Sequence, residues 1–565
     1  MVKELTVAQV LAETLKKHGT SRIYGLVGTT ILDFIDTLYE YSSDINFITT
    51  RHEQVAVSAA DAEARVTGKA GVAVVHAGPG LLNSAIALGI AHKDRVPLLL
   101  ITGGVRRRLK GTNAWLEIDQ ESIAKSVSKY YRRIRNPDEV LIALREAFES
   151  IYKPPRSVAI IEIPEDLWFQ KIQVKGNFLE GMEFVPHEED IPVSIVENII
   201  DKFVRSKKPL IYTCGELTVH GRFSQEMLLD LAERLDSYIV VSGNARGSCP
   251  EDHFKCLGRI GFGGGNIVAD NAFQSSDFVL VLGNEFDDLH TYGYTMLPSG
   301  DVIVVSKDPE VFKRPNYYEI IEHDPTSFLK ILHKMVKERN LRVSKETWNQ
   351  EISKYRKLWT EMLNDALSRK YENKVNPSLF FKELDSVLPR DRIITAGQGT
   401  HIVYVYDYMK IYMPNSFLAS TNLGAMSYAF PAAIGAKLAM PDREVIAVTG
   451  DGEFMMTAHD LETLKRESIP VKVIVVNDNS YRVLYLRQII QKNGRVYETL
   501  LSNPDFVSLA ESFGIKGFKV EKDSEIKNCI EMIINLKEPI VVELVIDRND
   551  IPPLNLDNTL RMSII

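Results

Sequence analysis

The chain reads as α/β throughout, with three doubly wound, Rossmann-like domains on parallel sheets. Three observations predict this. Short continuous apolar runs such as AGVAVVH, VPLLLIT, SVAIIEIP, DFVLVLG and VKVIVV are rich in β-branched residues, the pattern of strands buried on both faces. They alternate with segments of helical periodicity, as parallel sheets require. At 565 residues the chain exceeds a single core and suggests about three domains of ~150–200 residues each.

Composition narrows the class. With 45% hydrophobic and 25% charged residues the chain is an ordinary globular one. A net charge of −8 and the lack of a basic tract argue against nucleic acid as a partner. No apolar run is long enough for a membrane span. Four cysteines are too sparse for a disulfide scaffold, and Cys249 and Cys256 lack the second pair that a metal knuckle needs. MVKELTVAQV has no signal-peptide pattern, so a cytoplasmic enzyme is expected.

In order, Thr6 caps a helix with Val7, Val10, Leu11 and Leu15 at helical spacing, ending near Gly19. Strand RIYGLVG enters a glycine turn, and a helix follows over about 31–41. Strand INFITT leads through Arg51-His52-Glu53-Gln54 to an alanine-rich helix over 56–67. AGVAVVH breaks at Gly78-Pro79-Gly80 before a helix over 81–91. The alternation runs on to SVAIIEIP, giving a first domain over 1–170. A polar, aperiodic stretch over 170–190 reads as a linker. The second domain, 190–335, holds a helix over 193–205, strands PLIYTCG, SYIVVSG, DFVLVLG and DVIVVS, and the glycine run Gly261–Gly265. A charged, helix-prone bridge over 334–374 leads to the third domain, 370–550, and a tail, 551–565. The first and third domains share one α/β pattern, which suggests a duplicated architecture.

The third domain carries the most informative stretch, from Val448 to Tyr481. Strand EVIAVT breaks into Gly450-Asp451-Gly452, where glycines allow close backbone approach and the acid sits at a strand's carboxyl end. A helix over about 457–466 and strand VKVIVV then lead to Asn477-Asp478-Asn479-Ser480-Tyr481. A βαβ crossover brings Asp451 and Asp478 together, 27 positions apart in sequence. Hard oxygen donors of this kind suit Mg²⁺ completed by phosphate oxygens and water.

This spacing resembles the diphosphate-anchoring motif of thiamine-diphosphate enzymes. RHEQVAVSAADAEARVTGKAGVAV resembles their activating segment, NLGAMSYAFPAAIGAK the segment that supports the bent cofactor, and HAGPGLLN their active-site turn. Together these place the chain beside acetohydroxyacid synthases, pyruvate oxidases and 2-oxo-acid decarboxylases. The resemblance implies a pyrimidine-binding, a middle and a diphosphate-binding domain. It implies Mg²⁺ on Asp451, Asp478 (where the family usually has Asn) and the Ser480 carbonyl. Cofactor contacts are implied for Gly424, Met426, Gly450, Asp451, Gly452, Glu453, Asn479, Tyr481, Gln398, Pro79 and Asn83, with Met426 as the apolar strut beneath the folded cofactor. Glu53 would hydrogen-bond the cofactor's pyrimidine nitrogen and so promote loss of the thiazolium C2 proton, leaving the cofactor as an electron sink for a 2-oxo acid. The family also implies that pyrimidine and diphosphate ends bind different subunits, hence a homo-oligomer.

The resemblance is less decisive about the member. His76 matches a proton-moving histidine of some decarboxylases, and Thr29 is expected to face the same pocket. GTNAWLEIDQ has Leu116 where acetohydroxyacid synthases have glutamine, while its Glu117, Asp119 and Gln120 resemble oxalyl-CoA decarboxylase and 2-hydroxyacyl-CoA lyase. RVYETLLSNPDFVSLAESFG is synthase-like, yet Arg487 stands where those synthases carry a tryptophan. The middle domain, with NARGSCPEDH and GRIGFGGGN, resembles FAD-binding domains, or ADP- or CoA-binding ones in the CoA-dependent branch, with Arg246 as a phosphate candidate. The leading expectation is an acetolactate synthase-like enzyme acting on a small 2-oxo acid, with a regulatory subunit as a further partner. A 2-oxo-acid decarboxylase, an acyl-CoA-directed lyase and an FAD-linked pyruvate oxidase are the alternatives.

Overall fold

The computed structural model describes residues 2–180, 190–218, 224–314 and 318–554. The tail from 555 onward and part of the expected linker lie outside the described residues. Among the described residues, three six-stranded sheets are parallel throughout. The first uses Arg22–Gly25, Asn46–Thr49, Gly71–Val75, Leu98–Gly104, Tyr130–Arg133 and Val158–Pro164, in spatial order 2-1-3-4-6-5. The last uses Ile393–Ala396, Phe417–Ala419, Val445–Gly450, Lys472–Asn477, Lys516–Val520 and Ile540–Val545, in the same order. The duplication expected from the sequence is therefore present as a shared topology. The middle sheet, from Pro209–Thr213 to Glu319–Ile321, follows the 3-2-1-4-5-6 order.

The chain forms two compact units that interleave in sequence: 1–187 with 422–441 and 457–469, and the remainder. In the first, the helix Ala429–Ala439 packs on Glu53–Thr67. Small residues make this close approach feasible, since a Cβ on Gly435 would lie 1.9 Å from the Ala59 carbonyl oxygen. Beneath the contact lies a buried ion network. Arg65 Nε donates to Asp61 Oδ1 (2.7 Å) and its Nη2 to Asp94 Oδ2 (2.8 Å), while Tyr428 donates to Asp61 and the Asn422 amide to Asp94. Replacing Asp61 with alanine leaves Arg65 short of a charge partner in a dry site, so a loss of ~3–5 kcal/mol is expected in urea denaturation.

One element departs from expectation. Part of the 170–190 linker forms a strand, Lys171–Lys175, antiparallel to Val2–Thr6. Its KIQVK alternation buries Ile172 and Val174 and exposes the polar residues between them. That period-2 pattern is too short to stand out against the polar stretch around it.

In the second unit, Glu216 is the buried acid of the middle sheet's first crossover, accepting from Ser306 Oγ (2.6 Å) and the Lys307 amide (3.1 Å). Burial pushes its carboxyl up to about 8, with Asp308 adding to the effect. The folded state therefore holds this proton over a range where the unfolded chain has lost it. Stability should fall as pH rises from about 4.5 to 8, by on the order of 4 kcal/mol from this group. Glu216→Gln should flatten that slope and melt above the wild type at pH ~8 in thermal scans.

Candidate active site

Each of the two similar sheets places acids and glycines after the carboxyl ends of strands at or next to its topological switch point, where open α/β sheets bind ligands. In the first unit, Gly25 and Val74 pair in register on the two strands flanking the reversal. Their continuations bring Gly28 against His76, so close that a Cβ on Gly28 would lie 2.5 Å from His76 Cβ. His76 Nδ1 lies 3.3 Å from Thr30 Oγ1, which also accepts from the Ala77 amide (2.9 Å). Burial lowers the His76 pKa, with the nearby Glu53 charge opposing it, so the ring favours its neutral form near pH 7. Thr29 is exposed, and Thr30 is the hydroxyl that holds His76. The 3₁₀ turn over Thr29–Ile31 decides between these neighbours.

Glu53 opens the 15-residue helix Glu53–Thr67 and is 4% exposed. The helix begins three residues earlier than its alanine run suggests, because His52 accepts the Gln54 amide as its cap. A helix N-terminus favours a negative side chain there. Asn83 Nδ2 donates to Glu53 Oε2 (2.9 Å) from the helix Pro79–Lys93, which Pro79 starts. Gly80 packs beside Glu53, and a Cβ there would come within 3.5 Å of Oε1 and 3.3 Å of Val75 Cβ. The turn before it is clamped by Gln120, whose Oε1 accepts from the Gly78 amide (2.9 Å) and whose Nε2 donates to the Gly103 carbonyl (3.1 Å). Gln120 belongs to the E-x-D-Q segment, but nothing local in the sequence marks it as the clamp. Leu116 holds φ 72° and packs its carbonyl against Gly78, which itself has φ 68°. In the same unit Gln54 Nε2 donates to Ser427 Oγ, next to the half-buried Met426, and Gly424 adopts φ 66° in open space.

In the second unit the predicted crossover is present. Val445–Gly450 and Lys472–Asn477 are adjacent and parallel, with Gly450 opposite Val476. Asp451 and Asp478 consequently leave neighbouring strand ends, 3% and 6% exposed. Burial and the Asp478 charge push the Asp451 carboxyl up to about 6. Burial also raises Asp478, opposed by Arg482, whose Nε lies 3.4 Å from its Oδ2. Arg482 thus offsets the carboxylate that replaces the family's usual asparagine. Asn503 Nδ2 donates to Asp451 Oδ2 (2.7 Å) and reaches Oδ1 of Asn477 and Asn479, each at 3.2 Å. Asn503 comes from a distant loop and had no local signal beyond its Asn-Pro pair. Asn479 takes φ 56°, Ser480 donates to Asp478 Oδ1 (2.6 Å), and the Tyr481 ring fills the space that a Cβ on Gly452 would need. Gln398 Nε2 donates to the Ser420 carbonyl, and Glu453 faces His401 Nε2 at 3.5 Å. Arg487 lies with its guanidinium 5.8 Å from the Phe262 ring centre.

Among the described residues no cluster of three His, Cys, Asp or Glu side chains could hold a metal alone. Two buried carboxylates on adjacent strand ends instead make a partial oxygen set, which suits Mg²⁺ that takes its remaining ligands from a diphosphate and water. A cation there would offset the burial and the Asp478 charge that raise Asp451. The residues therefore fit the cofactor implied by the sequence.

Comparison with known proteins agrees along the chain. Residues 5–123, 196–332 and 397–544 match the N-terminal TPP binding, central and C-terminal TPP binding domains of thiamine pyrophosphate enzymes. A probable acetolactate synthase large subunit of Methanocaldococcus jannaschii is 31% identical over 560 residues, covering 97% of this chain and 93% of that protein. The acetolactate synthase large subunit of Corynebacterium glutamicum is 29% identical, covering 96% and 87%. The Escherichia coli isozyme 2 large subunit is 27% identical, covering 96% and 95%.

Proposed function

Because the chain belongs to the thiamine pyrophosphate enzyme family, we propose that it decarboxylates a small 2-oxo acid such as pyruvate. The acyl unit would pass to a second carbonyl acceptor, as in acetolactate synthesis. The observation that carries the reading is Glu53, a buried carboxylate held by Asn83 at the start of its helix, in a chain similar to acetolactate synthases over nearly its whole length. Bound thiamine diphosphate supplies the electron sink for cleavage next to the carbonyl. Glu53 would hold a proton for the cofactor's pyrimidine nitrogen, and Met426 would support the cofactor as an apolar strut. Asp451, Asp478 and the Ser480 carbonyl would hold Mg²⁺ and with it the diphosphate, and Gly450, Gly452 and Asn479 would shape the turns that admit it. Neutral His76, held by Thr30, is placed to accept or return a proton at its free ring nitrogen.

We assign the active form to a homo-oligomer in the cytoplasm. Leu82 and Ile86, one turn apart on the helix Pro79–Lys93, are about half exposed beside exposed Leu423, an apolar face suited to a second copy. Relatives named large subunits support a smaller regulatory chain as a further partner. Among the described residues no helix is long and apolar enough to cross a membrane.

Incubation of the protein with pyruvate, thiamine diphosphate and Mg²⁺, followed by proton NMR, tests the reading. Acetolactate is the expected product. Free acetaldehyde would favour the decarboxylase reading, which His76 makes the strongest alternative. Untouched pyruvate would remove pyruvate as donor.

A further inference from the structure

The middle domain has the strand order of a dinucleotide-binding fold, and its sequence raised FAD, ADP or CoA as ligands. Such ligands lay their pyrophosphate at the switch point, on free amides at a helix start. Here that point lies between the ends of Pro209–Thr213 and Phe278–Leu282, which pair in parallel. The first chain continues as Cys214-Gly215-Glu216 into a short helix, the second as Gly283-Asn284-Glu285.

Glu285, 2% exposed, occupies the crevice. Its Oε2 accepts the Gly215 amide at the helix start (2.7 Å) and the Ser242 hydroxyl, and its Oε1 accepts Asn244 Nδ2 (2.8 Å). Asn244 is fixed in turn by Thr421 Oγ1 (2.9 Å). The crevice cannot readily make room, because a Cβ on Gly215 would lie 2.7 Å from Asn244 Cβ. Glu216, the next residue, turns its own carboxyl to Ser306 and the Lys307 amide.

The glycine run is also engaged from within. The amides of Gly261, Phe262, Gly265 and Asn266 donate to Asp270 Oδ1, the Leu289 carbonyl, the Gly261 carbonyl and the Arg259 carbonyl. Its glycines allow tight packing: a Cβ on Gly261 would meet the His290 backbone at 2.5 Å, and one on Gly264 the Tyr406 ring at 2.2 Å. Arg246, the phosphate candidate, is buried and holds Glu251 in a two-point contact through Nε and Nη2 (2.6 Å each), with Nη2 also on the Met409 carbonyl. At the switch-point crevice the residues present do not fit a pyrophosphate.

We propose that this domain is a self-liganded dinucleotide fold: the Glu285 carboxylate takes the place of the pyrophosphate, and the enzyme carries no flavin or other pyrophosphate nucleotide at its middle domain's switch point. A second anion in that crevice would meet a buried carboxylate and amides already bonded. Glu285 instead ties three loop ends together, which leaves the domain a structural role.

The test uses the full-length protein, purified after expression with riboflavin added, together with calorimetric titrations of FAD and of ADP. The expected result is a colourless protein with no absorbance near 450 nm and no binding of either nucleotide up to ~1 mM. Stoichiometric flavin, or micromolar affinity for FAD or ADP, would overturn the proposal. Glu285→Gln, which keeps the shape but removes the internal anion, should lower the melting temperature by ~5 °C. An unchanged melting temperature would equally refute the bracing role. None of these readouts depends on the substrate of the catalytic site.

Discussion

Glu53→Gln should lower kcat/KM by ~100- to 10,000-fold, the range for losing a positioned acid–base group. Glutamine fits the same space and can still meet Asn83, so the loss falls on proton sharing, while folding is preserved. Two measurements separate these effects. The rate at which the C2 proton of added thiamine diphosphate exchanges with deuterium, read by NMR after acid quench, should fall with kcat/KM. Cofactor affinity, from fluorescence quenching, should change by less than ~10-fold. Exchange at the wild-type rate in the variant would show that Glu53 plays no part in activation. Thermal melting should be nearly unchanged, since the partner contact at 2.9 Å survives in the amide.

Asp451→Ala should weaken Mg²⁺-dependent cofactor binding by ~100-fold or more, corresponding to ~3 kcal/mol from one buried carboxylate ligand. The effect should appear in the dissociation constant for thiamine diphosphate measured at saturating Mg²⁺, with activity partly restored at high cofactor. Asp478→Asn provides the contrast. It removes a charge that raises Asp451 and leaves Arg482 with Asp550 as its remaining acid. The two effects oppose each other, so binding should stay within ~10-fold of wild type. Equal losses in both variants would mean that Asp478 is as essential a ligand as Asp451.

Much of this architecture was legible from local pattern. The apolar runs identified the buried parallel strands, because a strand covered on both faces shows no alternation and its composition alone marks it. The two strand-end acids were also readable, since one βαβ crossover fixes their approach whatever the rest of the chain does. Glu53, the Gly78-Pro79-Gly80 turn and Met426 were proposed through resemblance, because nothing in the spacing of a single glutamate or methionine reveals a role.

Other features depended on contacts that no local window contains. Val2–Thr6 pairs with Lys171–Lys175 across the whole first domain. Gln120 and Thr30 in one unit, and Asn503 in the other, reach their strand ends through turns whose orientation is set by packing, and a one-residue difference in the turn separates buried Thr30 from exposed Thr29. The helix Ala429–Ala439, midway through the third-domain sequence, joins the compact unit of Glu53 because its small residues match those of Glu53–Thr67. The middle domain shows the divide most clearly. Its sequence determined a dinucleotide-type sheet with glycine turns, since strand period and backbone freedom are local properties. Whether the crevice was open depended on Glu285, 70 residues beyond Gly215, and only the paired strand ends bring that carboxylate onto that amide.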